Sequence, residues 1–124
     1  MIDGNNVIGA TAAGWWRDPP LAVLRLVDRL RCFARTIEEP VIVVFDVPHP
    51  GIPEGLNDGI VVHYATRRGR DAADDRIVEL LDEGGTTGVE VVTSDRTLAD
   101  RVRRRGAHAT GAGRFLARLD AAGC

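Results

Sequence analysis

Asp3, Asp46 and Asp95 each stand just after a short apolar run: Met1-Ile2, Val41 to Phe45 and Val89 to Thr93. Runs of this kind read as buried strands, and in open parallel sheets the crevice beyond the carboxyl ends of the strands is where ligands bind. A fourth acid joins them by helical geometry. Asp74 precedes Ile77, Val78 and Leu81 at the spacing of one helix face, so its carboxylate is expected to point toward the sheet. Asp75 is one step round that helix and is expected to be partly exposed.

Carboxylates gathered in one cleft repel one another and raise one another's pKa unless a positive charge intervenes. A divalent cation resolves the conflict. Magnesium and manganese favour carboxylate and water oxygens, whereas zinc recruits histidine or cysteine, and His49, His63 and His108 show no ligand spacing. The chemistry expected of such a site is activation of water and stabilisation of charge on a phosphodiester undergoing in-line displacement. Capping is the competing reading, because an aspartate after a strand often caps the next helix and Asp71 with Asp74 reads as a cap pair. Four acids at one sheet edge favour the shared cleft.

The positioning elements are those of one compact domain covering residues 1–124, the expectation for a chain of 124 residues. Short β-branched runs alternate with helical patterns, the mark of a mostly parallel sheet covered by helices. Strands are expected at Val41 to Phe45, Ile60 to Tyr64 and Val89 to Thr93, with a short one at Ala107 to Thr110. Only two residues precede Asp3, so the first strand is short or begins upstream of this sequence. Asp18 followed by Pro19 opens a helix whose stripe is Val23, Val27, Leu30, Ala34 and Ile37. Val47 to Gly59, with three prolines and three glycines, reads as loop. Further helices are expected from Asp71 to about Glu83, after Asp95 around Leu98 and Val102, and at Phe115 to Leu119.

Composition removes several functions. All 16 basic residues are arginine, so a Walker A loop, Schiff-base chemistry and a lysine-assisted phosphoaspartate site are excluded. A haloacid dehalogenase type of phosphatase also needs a DxD pair, where this chain has Asp3-Gly4-Asn5. Arginine still clamps phosphates and stacks on bases. No apolar run approaches the roughly 18 residues of a membrane span. The chain is therefore expected to be soluble and unexported, without a membrane partner. Cys32 and Cys124 form no CxxC pair and suggest no disulfide framework, which fits a reducing cytosol.

Four segments occur in order: Ile2-Asp3-Gly4-Asn5-Asn6-Val7-Ile8, Val43-Val44-Phe45-Asp46, Ala73-Asp74-Asp75-Arg76-Ile77 and Val92-Thr93-Ser94-Asp95-Arg96. Together they resemble the NYN domain, a PIN-like ribonuclease fold, and its YacP-like branch in particular. The resemblance covers nearly the whole chain. It implies a three-layer α/β/α sandwich around a mostly parallel sheet of about five strands. It also implies a metal-dependent endoribonuclease of single-stranded RNA, using Mg2+ or Mn2+ held by Asp3, Asp74 and Asp95, with Asp75 and Asn6 completing the catalytic set. Asp100 is a further candidate acid, and Asp46 belongs to the pattern without an assigned ligand role. The implied setting is cytoplasmic, with the ribosome or RNA-processing factors as partners. The alternative is a catalytically weak RNA-binding or regulatory module on the same fold.

Arg67, Arg68 and Arg70 before the acidic helix, and Arg96 after Asp95, are the expected phosphate contacts. Arg101 and Arg103 to Arg105 form a second cluster that reads more readily as a solvated face. Trp15 and Trp16 lie in a glycine-bearing loop, where they either stack on unpaired bases or pack on the adjacent helix.

Overall fold

A computed structural model describes residues 1–11 and 14–124. Six strands, β1 (Ile2–Asp3), β2 (Val41–Phe45), β3 (Gly55–Asn57), β4 (Ile60–Tyr64), β5 (Glu90–Val92) and β6 (His108–Thr110), form one sheet in the order β3-β4-β2-β1-β5-β6. All pairings are parallel except that of β3 with β4. Helices α1 (Gly4–Gly9), α2 (Pro19–Ala34), α3 (Ala72–Gly84), α4 (Arg96–Arg104) and α5 (Ala112–Ala121) cover both faces.

The strand alternation explains the two-sided core. Val43 and Phe45 of β2 join Leu26, Leu30 and Phe33 of α2, with Phe115 and Leu119 of α5, on one face. Val44, between them in sequence, points the other way, into a cluster with Ile77 and Leu81 of α3 and Leu98 and Val102 of α4. The sheet is thus the middle of three layers. Strand β1 pairs with β2 on one side and β5 on the other, although the chain visits β4 before crossing back to β5. That reversal creates a topological switch point between β1 and β5, where a crevice opens beyond the strand ends.

Strand β1 is positioned by pairing on both sides. Ile2 pairs with Val43 and with Val92, and the α-amino group of Met1 donates to the Glu90 carbonyl at 2.7 Å. Burial lowers the pKa of that amine to about 6, against the raising influence of the Glu90 carboxylate, and its hydrogen bond directs it away from Asp3.

Three features depart from the sequence reading. Residues Gly55–Asn57, expected as loop, form the antiparallel edge strand, because Glu54 and the Asp58-Gly59 turn fold the segment back on β4. The short α1 directly after Asp3 was hidden by its two glycines. Cys32 and Cys124 form a disulfide across 92 residues, contrary to the expectation of unpaired thiols. The packing of α5 beside α2 brings the two together, and proximity of that kind has no signature in sequence spacing. Among the described residues, no helix is long and apolar enough to cross a membrane.

Candidate metal centre

Carboxylate oxygens of Asp71, Asp74 and Asp95 lie within 4.8 Å of one another. They grade inward from exposed Asp71 through partly buried Asp95 to Asp74, which is 8% exposed. Behind them sits Asp3, 4% exposed at the end of β1. The crevice is therefore acidic in depth as well as at its mouth.

Each acid reaches the crevice by a different route. Asp95 caps α4, its Oδ1 accepting the Leu98 amide at 3.1 Å, so capping and membership of the cluster coexist. Asp74 is in the first turn of α3, on the face that continues into Ile77, Val78 and Leu81. Asp71 precedes α3 with φ 63°, a left-handed conformation that an aspartate tolerates better than most residues, and its side chain makes no cap hydrogen bond. The α3 amide that a cap would satisfy, that of Ala73, is taken instead by Asp46 Oδ1 at 3.2 Å. Asp46 thus fastens the start of α3 and leaves Asp71 and Asp74 free to face the crevice.

The two asparagines after Asp3 tie the remaining strand ends together. Asn5 Oδ1 accepts the Asp46 amide at 2.8 Å, and Asn6 Oδ1 accepts the Ser94 amide at 2.7 Å. Thr93 links two acids directly: its hydroxyl donates to Asp3 Oδ2 at 2.9 Å and accepts the Asp95 amide at 3.1 Å. Gly4 is required for this closeness. A Cβ there would lie 2.5 Å from Cε1 of Phe45 and 3.0 Å from the Val44 carbonyl oxygen.

The electrostatics follow from burial and like charge. Asp74 is pushed up to about 7, first by desolvation and then by the charges of Asp3, Asp95, Asp71 and Asp46. Asp3 is raised to about 6 by burial, with smaller upward contributions from Asp46 and Asp95. The Thr93 hydroxyl and the nearby Asn6 amide, which does not complete a cap hydrogen bond, pull Asp3 the other way. Carboxylates this reluctant to ionise together are relieved by a cation with hard oxygen preferences, and no histidine or cysteine belongs to the cluster.

Other residues singled out in the sequence lie elsewhere. Asp75 is engaged by Arg101 at 2.9 Å, with Arg67 3.9 Å away, in an ion pair between α3 and α4 outside the cluster. Asn6 meets the crevice through Ser94, as a brace. Asp100 lies on α4 in a separate cleft with Arg96 and Arg103. Arg68, Arg70 and Arg96 are exposed and without an ion-pair partner among the described residues, whereas Arg67 also approaches Glu79 at 3.5 Å. Trp15 and Trp16 form a turn of 3-10 helix on the α1–α2 connection, 36% and 57% exposed, with ring centroids 6.1 Å apart in an edge contact. A larger cavity of about 860 Å³ lies at the opposite end of the sheet, around Met1, Pro40 and Gly88, away from every acid of the cluster.

The sequence reading missed Asp71 as a member of the cluster and Asn5 as a brace. The i, i+3 spacing of Asp71 and Asp74 was the available signal, but it reads equally as capping until the Ala73 amide is seen to be satisfied by Asp46. The expected trio had Asp3 where the structure groups Asp71, because Thr93 holds one Asp3 oxygen deep at the strand end.

The sequence model of the YacP-like NYN domain matches residues 1–123. A crystal structure of Rae1 (YacP) from Bacillus subtilis superposes with a TM-score of 0.80 at 24% identity, covering 98% of this chain and 72% of that one. A mutant of the same Bacillus subtilis protein gives a TM-score of 0.75 at 24% identity, with 98% and 74% covered. No curated protein sequence matches the chain.

Proposed function

The chain belongs to the YacP-like NYN domain family, and from that premise we propose that it is a metal-dependent endoribonuclease acting on single-stranded RNA. The observation that carries the proposal is the approach of Asp71, Asp74 and Asp95 to within 4.8 Å, with buried Asp3 behind them. Asp71, Asp74 and Asp95 would hold Mg2+ or Mn2+, with Asp3 at the base available as a further donor. The ion, when bound, supplies positive charge to a phosphodiester in displacement and lowers the pKa of the attacking water.

The chain's own residues do the rest. Thr93 keeps one oxygen of Asp3 fixed, Asn6 and Asn5 hold the loops that carry Asp95 and Asp46, and Asp46 anchors α3. Such bracing keeps ligands in place against their mutual repulsion, as catalysis by preorganised charge requires. Exposed Arg68, Arg70 and Arg96 draw the RNA backbone toward the acids, and the part-exposed Trp15 and Trp16 offer stacking surfaces for unpaired bases. Asp75 acts at one remove, through its pair with Arg101. The same reading makes the ribosome and RNA-processing complexes the partners to examine, while the Cys32–Cys124 disulfide removes the thiol argument for a reducing cytosol.

The test is incubation with circular single-stranded RNA and manganese, with and without chelator. Linearisation that needs metal and disappears in Asp74→Asn supports the reading. Cleavage that is unchanged in the variant overturns it, and RNA binding with no cleavage under any metal leaves the weak binding module as the better description.

A further inference from the structure

We propose that the cleft between α4 and the end of β6 is a phosphate subsite, in which Arg96 and Arg103 grip the RNA backbone beside the scissile bond. The proposal rests on the nuclease reading for the position of that bond, but its geometry is separate.

The cleft has a volume of about 410 Å³ and is lined by Ser94, Arg96, Asp100, Arg103, Thr110 and Gly111. It begins where the metal centre ends, because Ser94 and Arg96 flank Asp95, a member of the acidic cluster. A strand whose phosphate meets Asp95 therefore passes next over this cleft.

Arginines on and just beyond α4 differ in what they bind. Arg101 and Arg105, one turn apart, are committed to α3 through Asp75 and Asp82, at 2.9 Å and 2.8 Å. Arg96 and Arg103, two turns apart on another side of the helix, are exposed and pair with no carboxylate among the described residues. Asp100 is the one acid lining the cleft, so its side chains leave a net positive charge. The Ser94 hydroxyl on the cleft wall accepts the Ala112 amide at 2.9 Å, which fixes that side of the cleft to the start of α5. Two exposed guanidinium groups at one cleft suit a phosphodiester, which they contact by paired N–H donors.

The experiment measures binding of a short fluorescein-labelled oligouridylate by anisotropy across a salt series. Asp74→Asn serves as the background so that RNA is bound without being cut. Adding Arg103→Glu is expected to weaken binding at least tenfold and to lower the slope of log Kd against log salt by roughly one or more, with Arg96→Ala giving a smaller loss. Arg35→Ala, at the far end of α2 beside Asp58, is the control and is expected to change neither. Unchanged affinity and slope in both cleft variants would overturn the subsite, as would failure of the parent to bind RNA at low salt. Cleavage by the wild-type protein that is insensitive to Arg103 defeats the subsite and spares the nuclease reading. Binding that depends on Arg103 without metal-dependent cleavage does the reverse.

Discussion

Thr93 donates its hydroxyl to Asp3 at 2.9 Å, joining two residues ninety positions apart at adjacent strand ends, and it accepts the Asp95 amide with the same oxygen. Replacing Thr93 by valine keeps the shape and removes both bonds. The Asp3 carboxyl then rises further above about 6, since its largest lowering influence is gone. Thr93→Val is expected to raise the manganese concentration for half-maximal cleavage about tenfold, the scale on which ligand-supporting residues act. Its stability should fall by about 1–3 kcal/mol from the unsatisfied groups. Metal titration of cleavage and urea denaturation measure the two effects.

Asp74 carries a stability cost that depends on pH. Its folded pKa of about 7 exceeds the ordinary 3.8, so between those values the native state holds more protons than the unfolded one. Stability without metal must therefore fall as pH rises through this window, because the slope follows the protons bound by the unfolded state minus those bound by the native state. The Met1 amine, lowered to about 6 from 8.0, acts in the opposite sense above pH 6, which makes a paired comparison necessary. Asp74→Asn is expected to melt higher than wild type in chelator at pH 7 and to converge with it near pH 4. A variant that melts lower at pH 7 contradicts the account of the crevice.

Gly4→Ala tests the closeness of α1 to β2. The added methyl meets the Phe45 ring at 2.5 Å and the Val44 carbonyl at 3.0 Å, and the backbone oxygen has little room to retreat. A loss of about 1–3 kcal/mol is expected from this overpacking, read as a lower denaturation midpoint at unchanged m-value.

Reduction of the Cys32–Cys124 disulfide releases the end of α5 from α2. The bond closes a loop of 92 residues, so the unfolded chain gains freedom on the order of 2–4 kcal/mol in stability terms. Melting is expected to drop by roughly 10 °C in dithiothreitol, in line with the sensitivity of a domain of this size. Wild type and Cys32→Ser should then melt together. Equal melting with and without reductant would mean that the bond does not form.

The legible parts of this molecule were those written in local periodicity. Val41 to Phe45 carries its own strand signal, the Asp18-Pro19 pair announces α2, and Asp74 declares its inward direction by its distance from Ile77, Val78 and Leu81. What could not be read were relations between segments. Whether Asp71 caps α3 depends on Asp46, which reaches the Ala73 amide from another strand end. Whether Asp75 faces the crevice depends on Arg101, which draws it to α4. The edge strand Gly55–Asn57 exists because β4 offers a free side for pairing, which overrides the three prolines that make the segment look irregular.

Calorimetric titration of manganese into wild type, Asp74→Asn, Asp71→Asn and Asp75→Asn at pH 7.5 reads the cation centre itself. A cation centre built by Asp71, Asp74 and Asp95 predicts saturable binding in wild type with proton release, since Asp74 is held up at about 7 without metal. Binding should be lost in Asp74→Asn, weakened in Asp71→Asn and nearly unchanged in Asp75→Asn, whose carboxylate already serves Arg101. Saturable binding that survives Asp74→Asn, or that depends on Asp75 instead, would contradict it.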